Sequence, residues 1–272
     1  MTNNTHMTRP ARPAAAGSIG TEVSGSVATV VISNPAKKNA MSATMMGDLG
    51  EMLSGLDADP GVRVIVLRGD GYEAFAAGAD ISEFEARQGS DEVRLAAEET
   101  IGGMFTSISS LGTPLIAMIS GYCIGAGVAV ALGADIRIAA EGSTFAIPAA
   151  RLGLGYPVPL THALVHVVGP AQASEILFTG RRLTDLEALA VGLINRLVPV
   201  AALESEVRSV AASIIANAPL SVRASKVAIS AYRNPEHEES ARRLVAQCVH
   251  SRDAREGHRA FMERRPPEFE GC

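Results

Sequence analysis

Short apolar runs rich in β-favouring residues, at 27–32, 62–67, 115–119 and 136–139, recur along this chain, and each stops at a turn-forming cluster. The turns are Asn34-Pro35, Gly69-Asp70-Gly71, Gly121 and Glu141-Gly142. Runs this short and this apolar read as buried strands. Between them, residues 43–56 and 92–109 carry helical patterns, and the alternation predicts an α/β architecture with largely parallel pairing. After about Ala202 the β-rich runs stop. Residues 203–216, 220–232 and 235–264 are helix-forming, with Pro and Asn breaks between them, so the C-terminal quarter is predicted to be all helical.

Composition narrows the function classes. With 272 residues, 47% of them hydrophobic, the chain can bury the core of one large domain or of a domain with an appendage. No Trp is present and aromatic residues make up 4%, which removes the stacking platform of a single-strand binder; a net charge of -5 argues against duplex binding. No nucleic-acid partner is expected. The three cysteines, Cys123, Cys248 and Cys272, form no metal-ligand spacing and suggest free thiols in a reducing compartment, so no metal and a cytoplasmic location are expected. No apolar run approaches the roughly 20 residues of a membrane span. The first acidic residue is Glu22, and residues 1–20 read as a disordered tail rather than a transit peptide, because no amphipathic period runs through them.

Two clusters of small residues hold the chemical information: Ala74-Phe75-Ala76-Ala77-Gly78-Ala79-Asp80-Ile81 and Ser120-Gly121-Tyr122-Cys123-Ile124-Gly125-Ala126-Gly127-Val128-Ala129. Gly125-Ala126-Gly127 lacks both the GxGxxG spacing and a Walker Lys-Ser/Thr, which removes nucleotide readings. Three further motifs are Asn34-Pro35 through Asn39-Ala40-Met41-Ser42, Ile176-Leu177-Phe178-Thr179-Gly180 followed by 188–198, and Ala260-Phe261-Met262-Glu263-Arg264-Arg265. In this order, from about Val27 to Phe269, the five motifs resemble the enoyl-CoA hydratase/isomerase (crotonase) superfamily. The resemblance implies a crotonase-type spiral of β-β-α units over 21–202 and a C-terminal helical trimerisation region over 203–272. It also implies a homotrimer or dimer of trimers and an acyl-CoA thioester as substrate. No cofactor is implied, since coenzyme A is part of the substrate.

By motif position, the resemblance assigns the backbone N–H groups of Ala79 and Ala126 to the thioester oxygen, with Ala77, Gly78, Asp80, Ile81, Gly125 and Gly127 lining the substrate. Small residues in both loops let a thioester approach the main chain closely. Donors preorganised for the enolate oxygen contribute ~2.7 to 4 kcal/mol each in acyl-transfer enzymes. The two carboxylates that family hydratases use are absent. Their positions fall on Ala129 and Ala149, and the isomerase acid position falls in Gly155-Tyr156-Pro157. Each general acid or base typically supplies ~10² to 10⁴-fold, so a weak or altered hydratase is expected.

Tyr156 is the candidate replacement, because Gly153-Leu154-Gly155-Tyr156 resembles the methylmalonyl-CoA decarboxylase branch. Three functions follow. The first is an enoyl-CoA hydratase/isomerase-like lyase of fatty-acid or related acyl-CoA metabolism; the others are a noncatalytic acyl-CoA carrier and an acyl-CoA decarboxylase. Among the remaining polar residues, Asp80 with Glu83 reads as a capping box. Asp135 reads as structural, and His162 as a packed or surface histidine. Cys123 has no histidine partner nearby and is not expected to be a nucleophile. The arginines from Arg242 to Arg265, interleaved with acids, read as a solvated or subunit-facing helix surface.

Overall fold

The computed structural model describes residues 17–80 and 91–272. A six-stranded sheet runs in the order β1 (Ser18–Ser24), β2 (Val27–Ser33), β3 (Val64–Gly69), β5 (Leu115–Ile119), β7 (Ile136–Ala140), β10 (Arg196–Val198). Only the β1–β2 hairpin is antiparallel there. A second sheet orders β4 (Ala74–Ala76), β6 (Tyr122–Ile124), β8 (Thr144–Ala146) and β9 (Arg182–Thr184), with β9 antiparallel. Consecutive strands β3–β4, β5–β6 and β7–β8 therefore go one to each sheet. Helices α2 (Asp91–Ser109), α3 (Ala126–Gly133) and α4 (Val158–Thr179) follow these three pairs, giving the β-β-α spiral.

Burial explains why the longer strands were legible as unbroken apolar runs. On β3, Ile65 and Leu67 enter the main core, which also takes α1 (Ala43–Ala58) and the three spiral helices, while Val64 and Val66 face a second core. That second core is closed by Leu203, Val207 and Val210 of α6 (Leu203–Ile215), which follows the short α5 (Asp185–Ala190). A strand covered on both faces has no polar side to alternate with. Edge strand β1 is the opposite case: exposed along most of its length, with Ser, Gly, Thr and Glu around Ile19 and Val23. It starts at Ser18, inside the span assigned to the tail, because its backbone pairs with β2 from Ser18↔Ser33 onward.

The C-terminal region is helical as expected, with one correction. Residues 235–264 are not continuous: after a short turn they divide into α8 (Glu238–His250) and α9 (Arg252–Glu263), which follow α7 (Pro219–Arg233). Ser251 makes the break. Its extended backbone ends α8, and its hydroxyl accepts the N–H of Ala254 at 2.9 Å, starting a new helix. The arginines are mostly paired on the surface, as in Arg242–Glu238 at 2.6 Å and Arg265 with Glu256 and Glu263, both at 2.6 Å. No helix among the described residues is long and apolar enough to cross a membrane.

Candidate active site

The first turn is built as a clamp. Asn39, buried with φ 57, accepts the Asn34 N–H at 3.0 Å through Oδ1 and donates Nδ2 to the carbonyls of Ala74 (2.7 Å) and Asp70 (3.0 Å). Asn34 Nδ2 donates to the Ala40 carbonyl at 2.8 Å. The Asn39 amide thus ties the turn to the β3–β4 connection while Asn34 closes the turn on itself, and the next residue, Met41, reaches the segment after β4. There it forms an isolated parallel bridge with Ala79. The Met41 N–H donates to the Gly78 carbonyl and its carbonyl accepts the Asp80 N–H, both at 2.8 Å.

A parallel bridge takes its hydrogen bonds from the residues flanking the bridged one, so the N–H of Ala79 faces away from Met41. The second small-residue loop lies against this segment. A Cβ on Gly78 would stand 3.5 Å from the Ile124 carbonyl, and one on Gly125 would stand 3.8 Å from the Gly78 Cα. Gly125 adopts φ 53, ψ −110, a conformation L side chains avoid, and this turn opens α3 at Ala126. Its N–H donates to the Ala146 carbonyl at 2.8 Å and its carbonyl accepts the Ala129 N–H at 3.1 Å. Gly127 lies so close to β4 that a Cβ would come within 2.3 Å of the Ala76 carbonyl, which seats the helix on the strand. The N–H of Ala126 is the first of the helix and has no intrahelical acceptor. Among the described residues neither Ala79 nor Ala126 donates its N–H to any acceptor. Two unpaired donors on touching loops, one at the positive end of a helix, suit an oxygen that gains negative charge.

Ala129 is fully buried on α3, and Ala149, in the short turn after β8, packs partly buried against the same core. Tyr156 also packs against that core. The phenol oxygen is buried and has no hydrogen-bond partner among the described residues. Burial, with a small contribution from the nearby Cys123 thiol, pushes Tyr156 well above its ordinary value and keeps it protonated. Burial likewise raises Cys123, while Arg137 pulls weakly the other way, which leaves the thiol un-ionised and unsuited to attack.

Asp80 accepts Lys37 Nζ at 2.6 Å; Ile81 and Glu83, and with them the capping box, lie outside the described residues. Asp135 is structural as anticipated: its carboxylate accepts the Leu115 N–H and Lys226 Nζ, both at 2.7 Å. His162 is exposed on α4. The sequence reading missed Lys38, whose Nζ pairs with Glu73 at 2.8 Å and lies 4.7 Å from the centre of the Tyr122 ring. No local sequence pattern marks it, because Glu73 and Tyr122 lie far along the chain.

The enoyl-CoA hydratase/isomerase family model matches residues 22–272, and the chain belongs to that family. Carnitinyl-CoA dehydratase from Proteus mirabilis is 34% identical over 259 residues, 91% of this chain and 96% of the relative. Among solved structures, an enoyl-CoA hydratase/carnithine racemase from Magnetospirillum magneticum superposes with a TM-score of 0.89 at 33% identity, covering 93% of this chain and 96% of that one. An enoyl-CoA hydratase from Bacillus anthracis gives 0.85 at 30%, with coverage of 93% and 99%.

Proposed function

We propose that the protein is an acyl-CoA enzyme that stabilises a thioester enolate with the N–H groups of Ala79 and Ala126 and is slow as a hydratase. The observation that carries this is the pair of unpaired donors, one freed by the Met41–Ala79 bridge and the other by the Gly125 turn. Ala77, Gly78, Gly125 and Gly127 allow the acyl group against the main chain, and Asp80, held by Lys37, borders it. Alanine at 129 and 149 supplies neither the base for water nor the acid for the α-carbon. Relatives bearing the name carnitinyl-CoA dehydratase support a thioester substrate and make dehydration a reaction to assay.

The buried, unpartnered Tyr156 hydroxyl favours a second reading, decarboxylation of a malonyl-type thioester. The bond from the α-carbon to the carboxylate breaks, its electron pair passes into the thioester enolate, and carbon dioxide leaves. The α-carbon then takes a proton from the phenol, which regains one from water. This reaction needs enolate stabilisation and a proton donor, and no base. Single-turnover reactions with enzyme in excess separate the readings, one with crotonyl-CoA and one with methylmalonyl-CoA, binding being measured in the same samples. Fast hydration of crotonyl-CoA contradicts slow hydratase chemistry, and turnover of the malonyl-type thioester alone selects decarboxylation. Binding of both without turnover selects a carrier.

The assembly proposed is a homotrimer or dimer of trimers. Its support is the apolar surface left on the C-terminal helices, where Ile229 is 65% exposed, Tyr232 82% and Val249 70%.

A further inference from the structure

A pocket of about 350 Å³ opens at the amino-terminal edge of the six-stranded sheet, between the end of α1, the turn before β5, the first turn of α7 and the C-terminal segment around Phe269. Arg63 precedes β3 and Pro114 precedes β5 in the first sheet, whereas the small-residue loops of the candidate active site follow β4 and β6 in the second, and no residue lining the pocket belongs to those loops. Two guanidinium groups line it. Arg63 donates one N–H to the Asn217 carbonyl at 2.5 Å. Arg223 lies across Gly112, where a Cβ would come within 2.7 Å of its Cζ, and makes no hydrogen bond or ion pair among the described residues.

Three carboxylates also line the pocket, and their contacts fix them in place without neutralising them. Asp57 accepts the Thr113 N–H at 2.6 Å, Asp59 accepts the Gly61 N–H at 2.8 Å, and Glu270 lies 3.8 Å from Arg252. Asp57 faces Arg223 only at longer range. Apolar side chains on the wall include Val62, Ile214, Leu220 and Phe269, beside the polar Thr113. The space is large enough for a short organic acid.

We infer that this pocket is a second ligand site, taking a short-chain organic carboxylate whose head group is held by Arg63 and Arg223 and whose apolar body lies against Leu220 and Phe269. Guanidinium groups recognise a carboxylate by charge-assisted, paired hydrogen bonds, and here the half-buried Arg63 and the exposed Arg223 present theirs from two sides of the pocket. Hexanoate is the probe, titrated into the full chain with isotope-labelled Val, Leu and Ile methyl groups. Saturable shifts are expected at Val62, Ile214 and Leu220, weakened about tenfold or more by Arg223→Ala and by Leu220→Glu, each with the fold checked by its methyl spectrum. Shifts confined to Ile124 and Val128 mean that hexanoate occupies the thioester site and overturn the assignment. So do a flat titration and shifts at the pocket that both variants leave unchanged.

Discussion

Replacing Ala126 by proline removes one hydrogen-bond donor at a position where proline costs the fold little. Ala126 opens α3, and its N–H has no acceptor among the described residues, so the missing donor breaks no internal bond. The first helical position also favours the fixed φ of proline. The preceding Gly125 holds ψ −110, clear of the helical values that a following proline disfavours. Thermal stability should therefore change by less than about 1 kcal/mol. Catalysis should not survive. Loss of one donor to a developing oxyanion costs ~10² to 10³-fold in turnover, and the proline Cδ stands where the thioester oxygen would sit, so affinity falls as well. The assay pairs a melting curve with calorimetric titration of butyryl-CoA and turnover of whichever thioester the wild type converts. A variant that melts like the wild type, binds as tightly and turns over within threefold would refute the assignment of Ala126.

Four further outcomes follow from particular contacts. Gly127→Ala drives a methyl group to 2.3 Å from the Ala76 carbonyl, with backbone on both sides, and should cost ~1 to 3 kcal/mol or more in urea denaturation. Tyr156→Phe removes a buried hydroxyl without a partner, so the ligand-free protein should gain up to ~1 to 3 kcal/mol while decarboxylation of the malonyl-type thioester drops. Because burial raises Tyr156 above its ordinary 10.0, the stability its protonated form confers is complete below pH 10 and declines as pH rises beyond it. The phenylalanine variant should lack that alkaline component in melts across pH 9 to 11. Ala129→Glu combined with Ala149→Glu should raise crotonyl-CoA hydration by ~10²-fold or more, read in the single-turnover assay, if the fold tolerates two new carboxylates. Ile229→Glu places a charge on an apolar surface residue of α7 and should shift the light-scattering mass to a smaller species.

The sequence disclosed those elements whose physical cause is local. Strands such as β3 and β5, covered on both faces, advertise themselves as apolar runs, and Gly125 and Gly127 mark a turn and a close approach that only glycine allows. The three-residue strands β4, β6, β8 and β9 were missed because they are too short to show any period, although they form the sheet next to the site. The break at Ser251 depends on a single hydroxyl capping the next turn. Tyr156 could be proposed from its motif, but the isolation of its hydroxyl is a property of everything packed around it. The Met41–Ala79 bridge, which turns one N–H outward, joins residues 38 apart and depends on the Asn34–Asn39 clamp to form. Arg63 and Arg223 face one pocket only because α7 returns to the start of the first sheet.

The most direct measurement is the infrared spectrum of crotonyl-CoA carrying ¹³C at the thioester carbonyl, recorded as a difference between free and protein-bound ligand. Two N–H donors on the oxygen polarise the C=O bond, so the bound carbonyl should absorb at clearly lower frequency than in water, and Ala126→Pro should abolish the shift in any complex that still forms. A bound carbonyl at its aqueous frequency would contradict the placement of the thioester between Ala79 and Ala126.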